Sequence, residues 1–404
     1  MLMRNSPADR EKNITMQVSS WFRPISLGLL CATVLVACSG DSDRTGIVQE
    51  TPLSEPAEPA DAFGPYAVGH MTGQVFDAIR DNRSLPYNVW YPAQGAVDED
   101  LERTLYPLLG PIGINAELAV DDLPVAEGDP LPLLVFSHGS GGINIQSIRM
   151  MEALASHGFV VVSPSHTGNT SSDFSDTLEQ AGANRVPDVS YMLDVFLGRN
   201  DSQGDAFHQR LNPDLIGVLG HSFGGGTALG MVAGFYDAPA DPRVRAVMPI
   251  SATVLERFTD EALALVSEPV LFLGGTEDTS VPIENHDYGF DQLTGSSALY
   301  QVDIVGAGHN HFAAICDIGN TLIDNGLGQD TWPNIGAQAL LEPYADTCGE
   351  SAYPIEEAQR IQNIYGVAFF RRYLLGHEQY DYYLRSEYAS ENEPDVNYRD
   401  RLGQ

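Results

Sequence analysis

Along the chain, polar stretches are broken by short runs that are wholly apolar. Tyr87-Asn88-Val89-Trp90-Tyr91 is rich in aromatic and β-branched residues and closes on Pro92, which predicts an early strand. Leu133-Leu134-Val135-Phe136 and Phe159-Val160-Val161-Val162 show no polar alternation, the pattern of strands covered on both faces in a parallel sheet. Residues 215–219 and 270–273 repeat it, and 244–250 and 299–305 read as further strands. Between these runs, Ile145, Ile148, Met151 and Leu154 recur at helical spacing, with Gly158 as a stop. Residues 189–197 predict a second helix, with Pro187 and Asp188 as start signals and Gly198 as a stop. Ile355, Ala358, Ile361, Ile364 and Ala368 predict a closing helix that ends near Gly376. Residues 93–130 and 169–186 read as irregular, and 316–354 as an insertion. The stretch between Ile250 and Pro269 has room for one helix only. Strands and helices in alternation with short links predict an α/β fold. The sheet should be central and mostly parallel, with helices on both faces and no large cap domain.

Two segments ahead of this pattern are of other kinds. Residues 1–38 carry Arg23, an apolar run over 25–36 and the closing Leu35-Val36-Ala37-Cys38, with Ser39 next. A short apolar core ending on small residues predicts an export signal and not a membrane span. Met1 and Met16 both stand as starts. The tetrapeptide ending at Cys38 resembles the bacterial lipoprotein box. That resemblance implies lipid attachment at Cys38 and, with Ser39 beside it, the outer membrane; an ordinary cleaved signal is the alternative. Residues 39–62 are dominated by Asp, Glu, Pro, Ser and Ala and are expected to be a disordered tether. Residues 63–404 then form one domain with insertions at 93–130 and 316–354.

Composition narrows the function classes. The 404 residues carry a formal net charge of -34, a field that repels nucleic acid and anionic head groups. The only expected tie to a membrane is therefore a lipid anchor. Lys12 is the only lysine and lies in the leader, which excludes a Ser–Lys dyad, a Schiff-base lysine and a P-loop from the folded part. Of the four cysteines, Cys31 and Cys38 belong to the leader. Cys316 and Cys348 remain, and an even pair in an exported chain predicts one disulfide. They lack partners at ligand spacing, so no metal and no cofactor is expected.

The candidate chemistry centres on Gly220-His221-Ser222-Phe223-Gly224-Gly225-Gly226. An apolar run precedes it and a helix-forming stretch follows, the strand–turn–helix context of a nucleophile elbow. A serine hydroxyl needs a base to take its proton, and that base needs an orienting acid. In the elbow's fold the order along the chain is Ser, acid, His. Asp278 stands just past a buried strand in Gly274-Gly275-Thr276-Glu277-Asp278 and is the chosen acid, with Glu277 and then Asp287 as competitors. His309 ends Gly306-Ala307-Gly308-His309 and is the chosen base, with His311 as competitor. His286 follows the acid too closely and His377 follows a helix stop. Two N–H donors should face a developing oxyanion. One is Phe223; the other lies in His138-Gly139-Ser140, with Ser140 favoured over Gly139. His166 and His221 read as structural hydrogen-bonding residues.

The elbow, the loop His138-Gly139-Ser140-Gly141-Gly142 and Gly306-Ala307-Gly308-His309 together resemble the α/β-hydrolase superfamily. The branch of platelet-activating-factor acetylhydrolase-like and predicted dienelactone hydrolase proteins is the most similar. Gly64-Pro65-Tyr66-Ala67-Val68-Gly69 and Val89-Trp90-Tyr91-Pro92 resemble that branch too. True dienelactone hydrolases carry cysteine where Ser222 stands. Residues 273–282 and the triple glycine also resemble bacterial cutinases and polyester hydrolases, whose oxyanion loop presents an aromatic residue in place of Ser140. The resemblance implies a serine hydrolase of short to medium acyl esters, small or polymeric; an amidase or peptidase with the same triad, or a non-catalytic binding protein, are the alternatives.

Overall fold

A computed structural model describes residues 54–95 and 101–403. The leader with Cys38, and most of the expected tether, lie outside the described residues. Strands β1 (Ala67–Asp77) and β2 (Arg83–Ala93) open the sheet as an antiparallel pair. β3 (Leu105–Leu109), β4 (Ile112–Asn115) and β5 (Val120–Asp121) follow, then β6 (Leu131–Ser137), helix α1 (Ile148–Ser156) and β7 (Val160–Pro164). Helix α2 (Leu178–Asp201) leads to β8 (Leu211–His221), α3 (Phe223–Ala233) and β9 (Val244–Ile250). The short α4 (Asp260–Ala264), β10 (Val270–Gly275), α5 (Glu284–Gln292) and β11 (Ala298–Ile304) complete the central alternation. Then come α6 (Ile315–Asp324), α7 (Leu341–Cys348), α8 (Ile355–Tyr373), α9 (Ser386–Asn392) and β12 (Val396–Leu402).

Ten strands form one sheet in the order β12-β11-β10-β9-β8-β6-β7-β2-β1-β5. From β7 to β11 every pairing is parallel. The apolar runs occupy these inner strands, and β6, β7, β10 and β11 are buried along their whole length. Two apolar layers flank the sheet: α1 and α8 cover one face, α2 and α3 the other. With the helices so placed, the loops at the carboxyl ends of β6, β8, β10 and β11 converge on one rim, which is where a ligand meets an open α/β sheet.

Several elements differ from the sequence-based expectation. α2 begins eleven residues before the predicted start, at a Thr177–Gln180 capping box, and Pro187 lies inside it. The flanking side chains Arg185 and Asp188 are wholly buried in a polar network, and this tertiary anchorage outweighs the cost of a proline within a helix. Residues 93–130 contain the β3–β4 hairpin and β5, held to α1 where Tyr106 Oη and the Leu118 N–H donate to buried Glu152. β12 and β1 were not readable as apolar runs, because outer strands keep polar, solvent-facing positions. Part of the expected tether is packed: the Ala60 N–H donates to Tyr383 Oη, Tyr380 Oη to the Glu58 carbonyl and His157 Nε2 to the Ala62 carbonyl. Such a segment has no core of its own and is ordered by partners brought from far along the chain.

Candidate active site

The end of β8 and the start of α3 meet at Ser222, whose backbone has φ +60° and ψ -123°. A non-glycine residue with positive φ is strained and persists only where its surroundings hold it. Here the Ser222 N–H donates to Ile250 O at 2.8 Å, and its carbonyl accepts from the Gly225 and Gly226 N–H groups. The turn also demands glycine on both sides. A Cβ at Gly220 would lie 2.2 Å from Gly224 O, and one at Gly224 would lie 1.9 Å from Ser137 O.

His309 stands on a single 3-10 turn beyond β11, and Asp278 in the loop after β10. His309 Nε2 lies 2.9 Å from Ser222 Oγ, and Nδ1 lies 2.7 Å from Asp278 Oδ2. With Nδ1–H donating to the carboxylate, Nε2 is free to accept from the hydroxyl. Asp278 Oδ1 accepts from the Ser280 and Val281 N–H groups at 2.9 and 2.7 Å. Burial alone would push this carboxyl up. The hydrogen bond and charge of His309, with the Val281 N–H, outweigh it and hold Asp278 below the usual carboxylate range.

The competing residues are engaged elsewhere. Glu277 is exposed, and Asp287 pairs with Arg399. His286 Nε2 accepts from the Ala252 N–H. His311 accepts from the Gly308 N–H at Nδ1 and donates from Nε2 to Tyr353 O. His377 stacks on Tyr380.

Two N–H groups have no acceptor among the described residues: that of Phe223, in the first turn of α3, and that of exposed Ser140, next in the chain to Gly139, which lies against Ser222. The neighbouring Gly139 N–H is taken by Gln146 Oε1 at 2.9 Å. Gln146 was not singled out from the sequence; nothing in the local pattern marks it. It donates from Nε2 to His221 Nδ1 at 2.6 Å, and His221 Nε2 donates to the His309 carbonyl at 2.8 Å. Burial, with the neighbouring His309, pushes His221 down to about 3, so it is neutral at pH 7.

A second Ser-His-Asp arrangement lies beneath the first. Ser137 Oγ meets His166 Nε2 at 2.9 Å, and His166 Nδ1 meets Asp188 Oδ2 at 2.9 Å. All three are buried, so no substrate reaches Ser137. Burial and the nearby Arg185 push His166 down to about 4. Elsewhere, Cys316 and Cys348 form a disulfide with a Cα–Cα distance of 5.6 Å, tying α6 to α7. No cluster of three or more His, Cys, Asp or Glu suited to a metal ion occurs among the described residues, and no helix there is long and apolar enough to cross a membrane.

Residues 141–325 match the family described as PETase, PET hydrolase-like; the match takes in Ser222, Asp278 and His309 and begins just past Ser140. Cutinase 2 of Thermobifida cellulosilytica is 27% identical over 184 residues, 45% of this chain and 62% of the cutinase. A bis(hydroxyethyl) terephthalate hydrolase of Streptomyces coelicolor is 32% identical over 133 residues, 33% of this chain and 35% of that enzyme. The solved ferulic acid esterase of Streptomyces cinnamoneus superposes with a TM-score of 0.60 at 25% identity, covering 86% of this chain and 99% of that one. The chain has the α/β-hydrolase fold and resembles cutinases over less than two thirds of their length.

Proposed function

We propose that the protein is an exported serine hydrolase of carboxylic esters. The observation that carries this reading is the unbroken line from Asp278 through His309 to a strained, partly exposed Ser222. Ser222 Oγ bonds to the ester carbonyl carbon as His309 Nε2 takes its proton, and Asp278 stabilises the imidazolium. The carbonyl oxygen, now negative, accepts from the Phe223 and Ser140 N–H groups. On collapse the C–O bond breaks and His309 passes its proton to the leaving alcohol. Water, deprotonated by the same imidazole, then cleaves the acyl-enzyme.

The matched relatives are named for cutin, terephthalate and ferulate esters, and small or polymeric esters of short to medium acyl groups are the substrates proposed here. Phe174 is 66% exposed and lies against Gly141, the neighbour of Ser140. It offers an apolar aromatic face where an acyl group would rest. The reading includes lipid attachment at Cys38, which predicts that fatty-acid labelling is lost in Cys38→Ser.

A nitrophenyl ester series, run with wild type and Ser222→Ala, tests the reaction. Turnover should fall by about 10⁴-fold or more in the variant; equal rates in both would end the proposal. Faster cleavage of matched amides than of esters would move it to an amidase.

A further inference from the structure

The most unusual group in the molecule outside the site is the guanidinium of Arg185, on α2. It is wholly buried, and a buried cation is costly unless pairing or hydrogen bonds offset its desolvation. Among the described residues it makes no direct ion pair with a carboxylate. Nη2 donates to Gly139 O at 3.0 Å and to Asn169 Oδ1. Nη1 donates to His138 O and, at 3.1 Å, to Ser137 Oγ. Its Nε has no partner among the described residues. The same guanidinium lies 5.2 Å from the centre of the Phe223 ring. One cation thus hydrogen-bonds to the backbone of the loop that carries Ser140 and lies over the side-chain ring of Phe223, the other proposed donor.

We propose that Arg185 is a positioning residue that aims and polarises the Ser140 N–H; this rests on Ser222 being the nucleophile. In a trans peptide the C=O and the following N–H point in opposite directions. Gly139 O and Ser140 N–H belong to one peptide group. Drawing that carbonyl inward onto Arg185 therefore turns the Ser140 N–H outward. His138 Nδ1 and the Gly142 N–H also donate to Gly139 O, at 2.7 and 3.1 Å, and close its remaining freedom. The His138 carbonyl, drawn inward in the same way, turns the Gly139 N–H outward, where Gln146 occupies it. A cation on the carbonyl oxygen also polarises the peptide and strengthens its N–H as a donor. Asn169 completes the setting: its Oδ1 accepts from Arg185 and its Nδ2 donates to Ser140 Oγ at 3.1 Å. The buried Asp188–His166–Ser137 line then serves as a support beneath the loop, reaching Arg185 through Ser137 Oγ.

Arg185→Lys and Arg185→Met test this on the full chain, with folded sites counted by fluorophosphonate titration. Lysine keeps the charge but not the planar fork. Per titrated site, kcat should fall about 10- to 100-fold in Arg185→Lys and further in Arg185→Met, with KM little changed. Inhibition by phenylboronic acid, whose tetrahedral adduct presents an oxygen to the same N–H groups, should weaken by a similar factor. A merely structural role would lower the number of folded sites and leave kcat per site and boronate affinity alone; that result overturns the proposal. If neither variant folds, Asn169→Ala decides by the same two readouts, and wild-type values there overturn it. Wild type without ester turnover would sink the hydrolase reading itself. Turnover in wild type, lost in Ser222→Ala and kept per site in the Arg185 variants, would sink this inference alone.

Discussion

Ser137 and Ser222 each lie 2.9 Å from an imidazole that is itself held by an aspartate. What separates them is access and backbone: Ser137 is buried within β6, whereas Ser222 is partly exposed on a turn with φ +60°. A fluorophosphonate should therefore label wild type and Ser137→Ala but not Ser222→Ala, a difference that intact-mass measurement reads directly. Asp278→Asn keeps the shape but offers His309 an amide, and kcat should drop by about 10³–10⁴-fold. Gly224→Ala would drive a methyl into the Ser137 carbonyl. Soluble expression and active-site titration should show few or no competent sites.

At the scale of elements, the site is assembled by loops at the carboxyl ends of four parallel strands, and its precision depends on what ties them. The chain Gly139–Gln146–His221–His309 links the loop after β6, the elbow and the base. The disulfide ties α6 to α7 across a sequence separation of 32. Chain entropy alone assigns such a closure about 3–4 kcal/mol, so reduction, or Cys316→Ser with Cys348→Ser, should lower the urea midpoint by a corresponding amount. The start of α2 depends on its cap, and Thr177→Ala should cost about 1 kcal/mol in the same assay.

For the whole molecule, the response to acid has a definite sign. Burial pushes His157 and His166 down to about 4 and His221 to about 3, and lowers His138 well below its ordinary value. In the unfolded chain these rings protonate near 6.5. Between those limits the unfolded state binds more protons, so stability is present above pH 6.5 and is lost as pH falls towards 4 and below. Asp278 and Asp188, both lowered, extend the loss below pH 4. Buried Glu152, pushed up by desolvation, pulls the other way. Urea unfolding from pH 7.5 to 4 should show a midpoint that falls steadily; a flat profile would contradict this balance of buried groups.

How much of this could be read in advance follows from the range of the forces involved. The inner strands were legible because burial on both faces leaves no polar position to break the run. Ser222, Asp278 and His309 could be chosen because a strained turn and two strand-end loops each have a local signature, and the fold brings their side chains within bonding reach. The helical start at Leu178 did carry a local signature, the Thr177–Gln180 capping box, which Pro187 masked. The outer strand β12 and the packed Ala60 segment were not legible, since distant partners stabilise them. Gln146 and Arg185 were invisible for the same reason: each acts through hydrogen bonds to backbone groups, and no residue pattern records which carbonyl or N–H will lie beside them. Local composition thus decided which chemistry the chain could carry, while the folded packing alone decided which donors and charges surround it.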